Sequence, residues 1–332
     1  MTFKYKNVYI NDTATVVGRY EKNGPLASYF DKSYNDFYFN KKTWEQAESF
    51  LIEDSVDLLL NKIAKTRFDI DLFISGDLLN QIVASNYAAS NLKIPYLGIY
   101  NACASSVEGL IIASNMIDKE QISNAICSVS SHNNAAEKQF RYPVEYGGVK
   151  PKTTTFTVTG SASAYLSNIP KGIKVESGTV GTVVDMGIKD AYNMGAVMSP
   201  ACADTIYQHL KDTKRDINYY DLVLSGDLGE YGKKILKEYM QVEYGIELKN
   251  YNDTACMIYD TERQSVYAGG SGPACAPLVT YAYIFDLMKK GKLKRVLLVA
   301  TGALMSTTMV NEKMSIPAIA HAISLEVISW IT

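Results

Sequence analysis

The stretch Asp71-Leu-Phe-Ile-Ser-Gly-Asp-Leu78 occurs twice in this chain of 332 residues, and its second copy is Asp221-Leu-Val-Leu-Ser-Gly-Asp-Leu228. Each copy is a short apolar run that ends in Ser-Gly-Asp, which is typical of a buried parallel strand reaching a polar turn. Each copy also follows apolar residues at helical spacing, in residues 44–65 behind Thr43 as N-cap and in residues 199–210. The repeat indicates that the second half of the chain duplicates the first.

The elements that come next are repeated as well. Residues 104–117 have the spacing of a helix and lead into a strand at 125–129, and residues 276–288 lead in the same way into a strand at 296–300. Strand–helix–strand alternation implies right-handed crossovers and a parallel sheet that helices cover on both faces. We therefore predict a duplicated five-layered α/β/α/β/α fold, in which each half contains a mostly parallel sheet.

The junction of the two halves is predicted at Asn168-Ile169-Pro170-Lys171-Gly172, which gives an N-terminal half of residues 1–168 and a C-terminal half of residues 169–332. Residues 133–155 fit neither repeat. They are too long for a simple connection, and loops of this kind are often lids or binding loops. We predict one long loop over these residues.

Composition narrows the class of protein. With 47% hydrophobic and 20% charged residues the chain has ordinary globular composition, which excludes wholesale disorder. A net charge of −2 provides no broad basic field, so nucleic acid is not expected as a partner. The 5 cysteines are widely spaced without a Cys-x-x-Cys pair, which favours neither a disulfide framework nor a zinc site. We expect a reducing compartment, no metal site and no cofactor.

Membrane-spanning and targeting signals are not found in the sequence. Residues 1–10 alternate polar and apolar residues and lack the apolar core of a signal peptide. The longest uncharged apolar-rich run, residues 296–310, falls short of the roughly 20 residues that span a bilayer. We predict no transmembrane segment and no signal peptide.

Cys103 is the first candidate for chemistry. It lies between a strand predicted at 95–100 and the helix predicted at 104–117. There it would face the positive end and unpaired N–H groups of the helix, which favour a thiolate. The alternative is a buried, inert residue at a tight turn, since cysteine is commonly buried. Position alone leaves both interpretations open.

A nucleophile also needs a base and an oxyanion site. His132 follows a predicted strand at its carboxyl end, where ligands bind in open α/β sheets, so a site role is favoured. His321 lies in an apolar strand-like segment and is equally compatible with the core or the site. His209 comes late in an amphipathic helix, where a solvated histidine is expected.

A glycine-rich turn, Gly269-Gly270-Ser271-Gly272-Pro273-Ala274-Cys275, opens the second-half helix, and Ala274 takes the place that Cys103 holds in the first half. Such turns present backbone N–H groups to anions, although tight packing alone also explains them. The sequence contains neither a phosphate-binding P-loop nor a dinucleotide fingerprint.

Together these features resemble thiolases and ketoacyl synthases. Residues 156–164 look like the last first-half strand of that superfamily, and Met194-Gly195 like its second-half opening. Its enzymes pair the cysteine with His or Asn on second-half loops, but the turn here reads Gly270-Ser271-Gly272-Pro273. A missing oxyanion donor is worth roughly 3–4 kcal/mol in the transition state, so we expect condensing activity to be lost unless His321 compensates.

Within this superfamily the chain is similar to the stage V sporulation protein AD family over nearly its whole length. The resemblance implies binding of dipicolinic acid, free or as its calcium chelate, so that calcium enters only with the ligand. It also implies integral membrane partners in the spore complex that moves this ligand across the inner membrane in sporulation and germination. The segments that carry it are Gly76-Asp77-Leu78-Leu79-Asn80-Gln81, Ser130-Ser131-His132-Asn133, Gln139-Phe140-Arg141-Tyr142-Pro143, Gly269-Gly270-Ser271-Gly272, Ala300-Thr301-Gly302-Ala303-Leu304 and Ser315-Ile316-Pro317-Ala318-Ile319-Ala320-His321-Ala322.

A planar dianion needs few convergent donors and an aromatic-sized slot. We expect Arg141 to act as a carboxylate clamp, at a mouth lined by Cys103, Ser131, His132, Ser271 and His321. Two alternatives remain: a condensing or acyl-transfer enzyme with Cys103 as nucleophile and His132 or His321 as base, and a structural subunit with a vestigial pocket. In the ligand-binding interpretation, which the family resemblance implies, the protein is peripheral at the spore inner membrane and is held there by integral partners. A homodimer is possible.

Overall fold

The computed structural model describes residues 1–140 and 149–328. Its strands are β1 (Thr2–Lys4), β2 (Tyr9–Val17), β3 (Lys32–Ser33), β4 (Leu72–Gly76), β5 (Tyr96–Gly98), β6 (Asn124–Ser131), β7 (Phe156–Thr157), β8 (Gly160–Ser167), β9 (Ile173–Val180), β10 (Leu222–Ser225), β11 (Tyr251–Asp253), β12 (Gly270–Ser271), β13 (Arg295–Ala303) and β14 (Ala318–Val327). Its α-helices are α1 (Arg19–Lys22), α2 (Trp44–Lys62), α3 (Val83–Leu92), α4 (Ser105–Asp118), α5 (Asn133–Phe140), α6 (Met194–Thr213), α7 (Gly229–Tyr244), α8 (Ala255–Ile258), α9 (Cys275–Val279), α10 (Phe285–Lys289) and α11 (Thr307–Asn311).

The strand order confirms the duplication. Ten strands pair in the order β11-β10-β13-β14-β9-β2-β8-β6-β4-β5, so that each half has the same sequence of five positions when read outward from the centre. In both halves the two outer pairings are parallel and the two inner ones antiparallel. Each five-stranded half is therefore mixed, with its parallel part at the outer edge. A short antiparallel pairing of β2 with β9 joins the two halves.

Helices form three layers around these strands. On the outer face of the first half, α2 packs against β2, β6 and β8, with α3 beside it. On the outer face of the second half, α6 packs against β13 and β14, with α7 beside it. Between the halves, α4 contacts β4 and β6 on one side and β13 and β14 on the other. The predicted five-layered α/β/α/β/α arrangement is confirmed, and the largest apolar core surrounds the central layer.

Local sequence signals explain where two long helices begin. Thr43 caps α2 as predicted, because its side chain accepts a hydrogen bond from the N–H of Gln46. Helix α6 begins five residues before the predicted start at residue 199, since the Asn193 side chain caps it through the N–H of Ala196. The signal was present in the sequence as an Asn ahead of the apolar run.

The predicted long loop over residues 133–155 is wrong at its start. Its first eight residues form α5, whose buried face carries Ala135, Ala136 and Glu137. This stretch, Asn-Asn-Ala-Ala-Glu-Lys-Gln-Phe, is rich in strong helix formers, and that propensity prevails over the irregular spacing. Residues 141–148 lie outside the described residues.

The predicted strand at 156–164 is divided, because its two ends pair with different partners. The later part, β8, lies between β2 and β6. The earlier part, β7, pairs in parallel with β12 of the second half. The N–H groups of Phe156 and Val158 donate to the carbonyls of Gly269 and Ser271, each at 2.8 Å. This pairing brings the glycine-rich turn of the second half up to the first half.

The predicted helix at 276–288 is also not uniform. It runs from α9 through a π-helical turn at Thr280–Ile284 into α10.

In the part of the chain that the structure describes, no helix is both long and apolar enough to cross a membrane.

Candidate functional site

The loop that carries Cys103 is held in an unusual backbone conformation. Ala102, just before it, has a φ of 49°, a left-handed value that is uncommon for any residue but glycine. Ser105 fixes the loop, since its hydroxyl donates to the Ala102 carbonyl at 2.8 Å and accepts from the N–H of Asn101 at 2.9 Å. The loop therefore holds Cys103 two residues ahead of α4.

Cys103 faces a cavity of about 80 Å³ between the two halves, room for several water molecules. Ser271 and Gly272 of the glycine-rich turn line the same cavity. The structure therefore brings together two of the predicted site residues, Cys103 and Ser271, from opposite halves of the chain. The other lining residues are Leu78, Tyr100, Ala102, Ala136, Glu137, Phe140, Thr155, Thr157, Met194, Met198, Ala303 and Met305.

Two helices begin at this cavity. Helix α4 starts directly after Cys103 and Ala104, and α6 starts at Met194, which is itself a lining residue. The first N–H groups of a helix lack partners within it, and the helix dipole adds partial positive charge there. Some of these groups are already engaged, since the N–H groups of Ser105 and Val107 donate to backbone carbonyls and that of Ala196 donates to the Asn193 side chain. The cavity is thus predominantly apolar in its side chains and lies beside the positive ends of two helix dipoles, a combination that suits a small organic anion.

One ionisable side chain among the described lining residues is Glu137, on the last turns of α5. It is 4% exposed, and its Oε2 atom lies 2.6 Å from the Nζ atom of Lys150. The ammonium group of Lys150 offsets part of the negative charge that Glu137 places at the cavity.

The Cys103 thiol is not activated. Burial raises its pKa well above the usual value, and the neighbouring Asp227 carboxyl raises it further, while the N–H of Gly272 opposes the shift. Desolvation of the charged form therefore outweighs the favourable end of α4. Of the two interpretations that position left open at Cys103, the raised pKa favours the thiol over the thiolate at neutral pH.

Asp227 is a residue of this site that sequence reasoning missed. It is 1% exposed and lies beside the thiols of Cys103 and Cys275 and the N–H of Gly272. No group in the described part of the chain completes a well-aligned hydrogen bond to either carboxyl oxygen. Burial raises the pKa of Asp227 well above its usual range. The signal in the sequence is the second Ser-Gly-Asp-Leu segment, whose pattern predicts a strand end but not a site residue.

Ser131 supports the glycine-rich turn from behind. Its hydroxyl donates to the Val158 carbonyl at 2.7 Å, so it is already engaged. A Cβ atom at Gly272, whose φ is 100°, would lie 2.7 Å from the Ser131 Oγ atom. The turn can approach Ser131 this closely only because residue 272 is glycine. Ser131 does not itself line the cavity.

His321 reaches the Cys103 loop through one intermediate residue. Its Nδ1 atom accepts from the N–H of Gly181 at 3.3 Å, and the side-chain amide of Asn101 lies 3.2 Å from Nε2. The Asn101 atom at this distance is Nδ2, and because Nδ1 of His321 accepts, the neutral ring carries its proton on Nε2. A hydrogen bond between the two therefore requires the Asn101 amide to be turned so that its oxygen faces the ring, which directs its amino group to Glu108. Burial lowers the pKa of His321 to about 4, so the ring is neutral.

His132 does not line the cavity. Its Nε2–H donates to the Phe37 carbonyl at 2.7 Å, and its ring packs edge-on against Phe37 and Phe39. The side chain is fully buried, and burial lowers its pKa to about 4. Among the described residues that line the cavity there is no histidine.

The predicted solvent exposure of His209 is wrong. This side chain is fully buried, with Nδ1 at 2.7 Å from the Thr179 hydroxyl and Nε2 at 2.7 Å from the Tyr220 hydroxyl. The last turns of α6 pack against β9, which carries Thr179, and so remove His209 from water.

Arg141, the predicted carboxylate clamp, lies outside the described residues. Within the described ranges, no group of three or more His, Cys, Asp or Glu side chains could hold a metal ion.

The duplicated layers and the cavity at their junction define a thiolase-like α/β protein. The structure is similar to 3-oxoacyl-[acyl-carrier-protein] synthase III from Aquifex aeolicus VF5, with a TM-score of 0.57, 10% identity, and coverage of 96% of this chain and 100% of that one. It is also similar to cerulenin-bound OleA from Xanthomonas campestris, with a TM-score of 0.60, 13% identity, and coverage of 98% of this chain and 98% of that one. At these identities the likeness concerns the fold alone.

Sequence comparison then defines the family. The chain belongs to the Stage V sporulation protein AD (SpoVAD) family, whose model matches residues 1–326. It is 48% identical over 320 residues to Stage V sporulation protein AD of Bacillus subtilis (strain 168), which covers 96% of this chain and 94% of that protein. The family predicted from the sequence segments is confirmed, and the chain is a member of a sporulation protein family with a thiolase-like fold.

Proposed function

We propose that this protein binds dipicolinic acid, free or as its calcium chelate, in the cavity at Cys103. The observation that carries the proposal is the start of α4 and α6 at one apolar cavity. A planar aromatic dianion requires an apolar slot for its ring and a few donors for its carboxylates. Membership of the sporulation family supports the choice of this anion over others.

The residues that line the cavity define the contacts that we propose for dipicolinate. Tyr100, Phe140 and Met194 provide flat or flexible apolar surface for the ring. The neutral thiol of Cys103 and the hydroxyl of Ser271 are side-chain donors of the lining from opposite halves of the chain, and in this proposal they face the carboxylates. Arg141 stays a proposed clamp, since the residue before it, Phe140, lines the cavity.

Ser131 and His321 act behind these contacts. Ser131 holds the turn that carries Ser271 and Gly272, and His321 holds the Cys103 loop through Asn101. His132 is anchored to Phe37 outside the cavity lining and is left without a direct ligand contact in this proposal.

We propose further that binding takes place without thioester chemistry. A nucleophilic cysteine needs a thiolate or a nearby base, whereas burial holds the Cys103 thiol protonated and the described lining offers no histidine. Acetyl-coenzyme A should therefore not be turned over. Cys103-dependent thioester cleavage at a rate on the order of 1 per second or faster would favour a condensing or acyl-transfer enzyme instead.

In the cell, the protein is proposed to act as a peripheral subunit of the spore inner-membrane complex that moves dipicolinic acid. Family membership supports this role. Flotation of the purified protein with anionic liposomes tests it, with and without the reconstituted integral subunits. Binding is expected only when the partners are present, and strong flotation with bare lipid contradicts the proposal.

Calorimetric titration with dipicolinate tests the ligand assignment. Isophthalate is the matched control, since it has the same two carboxylates but no ring nitrogen and therefore cannot chelate calcium in the same way. Saturable binding of dipicolinate at one site per chain is expected, with and without calcium. If neither form binds, the proposed function fails, and the structural-subunit alternative is favoured provided that acetyl-coenzyme A is not turned over either.

A further inference from the structure

The second copy of the Ser-Gly-Asp-Leu repeat contains Asp227, whose buried carboxyl has no part in the ligand contacts proposed above. Asp227 is 1% exposed and has a left-handed backbone, with a φ of 66°. Neither of its oxygens has a hydrogen-bond partner among the described groups. A buried polar group left in this state destabilises the folded protein, and a left-handed backbone conformation at a residue other than glycine adds to the cost. Both features occur directly beside the cavity.

The surroundings of Asp227 define how it could act. The thiol of Cys103 ahead of α4, the thiol of Cys275 at the start of α9 and the N–H of Gly272 lie beside its carboxyl. Cys103 and Gly272 line the cavity, whereas Asp227 does not. Asp227 can therefore affect a ligand only through Cys103 or Gly272, and of these two Cys103 has a side-chain donor.

The charged group that faces Asp227 from β11 is Asp253. Its carboxylate accepts hydrogen bonds from the Ser225 hydroxyl at 2.6 Å and from the N–H groups of Gly229 at 3.0 Å and Ala255 at 3.1 Å. These donors stabilise a negative charge on Asp253. Two adjacent buried carboxylates do not both ionise readily. The two thiols and the one N–H beside Asp227 complete no well-aligned hydrogen bond to it, so Asp227 is the member that keeps its proton.

We propose that Asp227 is a positioning residue for the ligand site, whose protonated carboxyl donates to the Cys103 sulfur and so directs the Cys103 S–H into the cavity. This inference rests on the proposed function, because the acceptor of that S–H is a carboxylate of the bound anion. In this series of hydrogen bonds, the Asp227 O–H donates to the Cys103 sulfur and the Cys103 S–H donates to the ligand carboxylate. Each donor points toward the anion and strengthens the next bond. An ionised Asp227 would instead draw the S–H toward itself and present a negative charge behind the cavity.

Variants at Asp227 and Cys103 test this series of hydrogen bonds, from Asp227 through Cys103 to the ligand, which we call the relay. The measured quantity is the affinity for dipicolinate. Asp227→Asn keeps a donor of the same shape, and its affinity should stay within about threefold of the wild type. Asp227→Ala and Cys103→Ala should each weaken binding about tenfold or more, as for loss of one hydrogen bond to a charged group. The double alanine variant should bind no more weakly than the weaker of the two single variants, because both changes break the same chain.

Two results would overturn the relay. One is an Asp227→Asn variant as weak as Asp227→Ala, which would mean that the site needs a carboxylate rather than a donor. The other is a double variant in which the two losses multiply, which would mean that Asp227 does not act through Cys103. If Asp227→Ala fails to fold, as judged by circular dichroism, the comparison of wild type, Asp227→Asn and Cys103→Ala still decides the first point.

Infrared difference spectroscopy provides a readout that does not depend on the ligand assignment. The wild type at neutral pH should show the carbonyl stretch of a buried protonated carboxyl that Asp227→Asn lacks, and dipicolinate should shift it. Absence of that band contradicts the inference whether or not the ligand binds. If the band is present but dipicolinate does not bind, the proposed function fails while the protonation of Asp227 stands.

Discussion

Asp77 and Asp227 hold the same place in the two copies of Ser-Gly-Asp-Leu, yet their buried carboxyl groups have opposite surroundings. Asp77 accepts backbone hydrogen bonds from Leu79 and Ser85, each at 2.8 Å. Asp227 has no partner for either oxygen among the described groups and lies beside the Cys103 thiol. The two halves of the fold therefore share a strand end, but only the second copy places its aspartate carboxyl beside the Cys103 thiol.

The two histidines near the predicted mouth should respond differently to substitution. His321→Ala removes the bond that holds Asn101 in the Cys103 loop, so dipicolinate binding should weaken about tenfold. His132→Ala removes a buried bond to the Phe37 carbonyl, so it should lower the unfolding free energy by roughly 1–3 kcal/mol and leave the affinity within about twofold. Calorimetry and urea unfolding measure the two effects. A larger affinity loss in His132→Ala than in His321→Ala would contradict this assignment of roles.

Gly272→Ala should damage the site by two separate mechanisms. Its φ of 100° disfavours a side chain, and the new Cβ atom would lie 2.7 Å from the Ser131 Oγ atom. We expect a loss of roughly 1–3 kcal/mol of stability together with weakened dipicolinate binding. Gly187→Ala is the matched control, because its φ of 73° is also left-handed but no atom lies within 4 Å of the added Cβ. Equal stability losses in the two variants would show that the contact with Ser131 has no effect.

Lys150→Met should distinguish the two forms of the ligand. Lys150 offsets the charge of Glu137 at the cavity, with Nζ 2.6 Å from Oε2. Without it, free dipicolinate, a dianion, should bind about tenfold more weakly, while the electrically neutral calcium chelate should lose less. Lys152→Met, at an exposed lysine two residues away, serves as the control. An equal loss for both ligand forms would mean that charge at Glu137 does not influence binding.

Glu21 should make stability fall as pH rises. Burial raises its pKa from 4.5 to about 7 in the folded protein, so between these values the folded state holds a proton that the unfolded state has released. Its contribution to stability is present below about pH 4.5 and is lost as pH passes 7, a change of roughly 3 kcal/mol. Glu21→Gln cannot titrate and should lack this decline.

Denaturant unfolding across pH 4.5 to 8 measures the difference between the wild type and Glu21→Gln. Glu262→Gln, at an exposed glutamate, should follow the wild type. Parallel pH profiles for wild type and Glu21→Gln would contradict the assignment of a raised pKa to Glu21.

Much of the architecture could be predicted from the sequence because it depends on local and periodic signals. The repeated apolar runs predicted β4 and β10, which occupy equivalent positions in the two halves. Thr43 predicted the start of α2 through a bond to a residue three positions on. The placement of Cys103 and Ser271 in one cavity also followed, since both come at the strand-to-helix turns of a duplicated fold.

The sequence could not predict properties that depend on contacts between distant segments. The protonation of Cys103 is set by burial and by Asp227, which lies more than a hundred residues away in the chain. His209 has the spacing of an exposed helix position and is buried by Thr179 and Tyr220 from other elements. In each case desolvation, which single-sequence patterns do not report, decides the state of the side chain.

The most direct test of the account is an experimental structure of the protein with dipicolinate bound. We expect the ring in the apolar cavity beside Tyr100 and Met194, with one carboxylate within hydrogen-bond distance of the Cys103 sulfur and the other near the Ser271 hydroxyl. Dipicolinate bound at another position while this cavity contains only water would contradict the central claim.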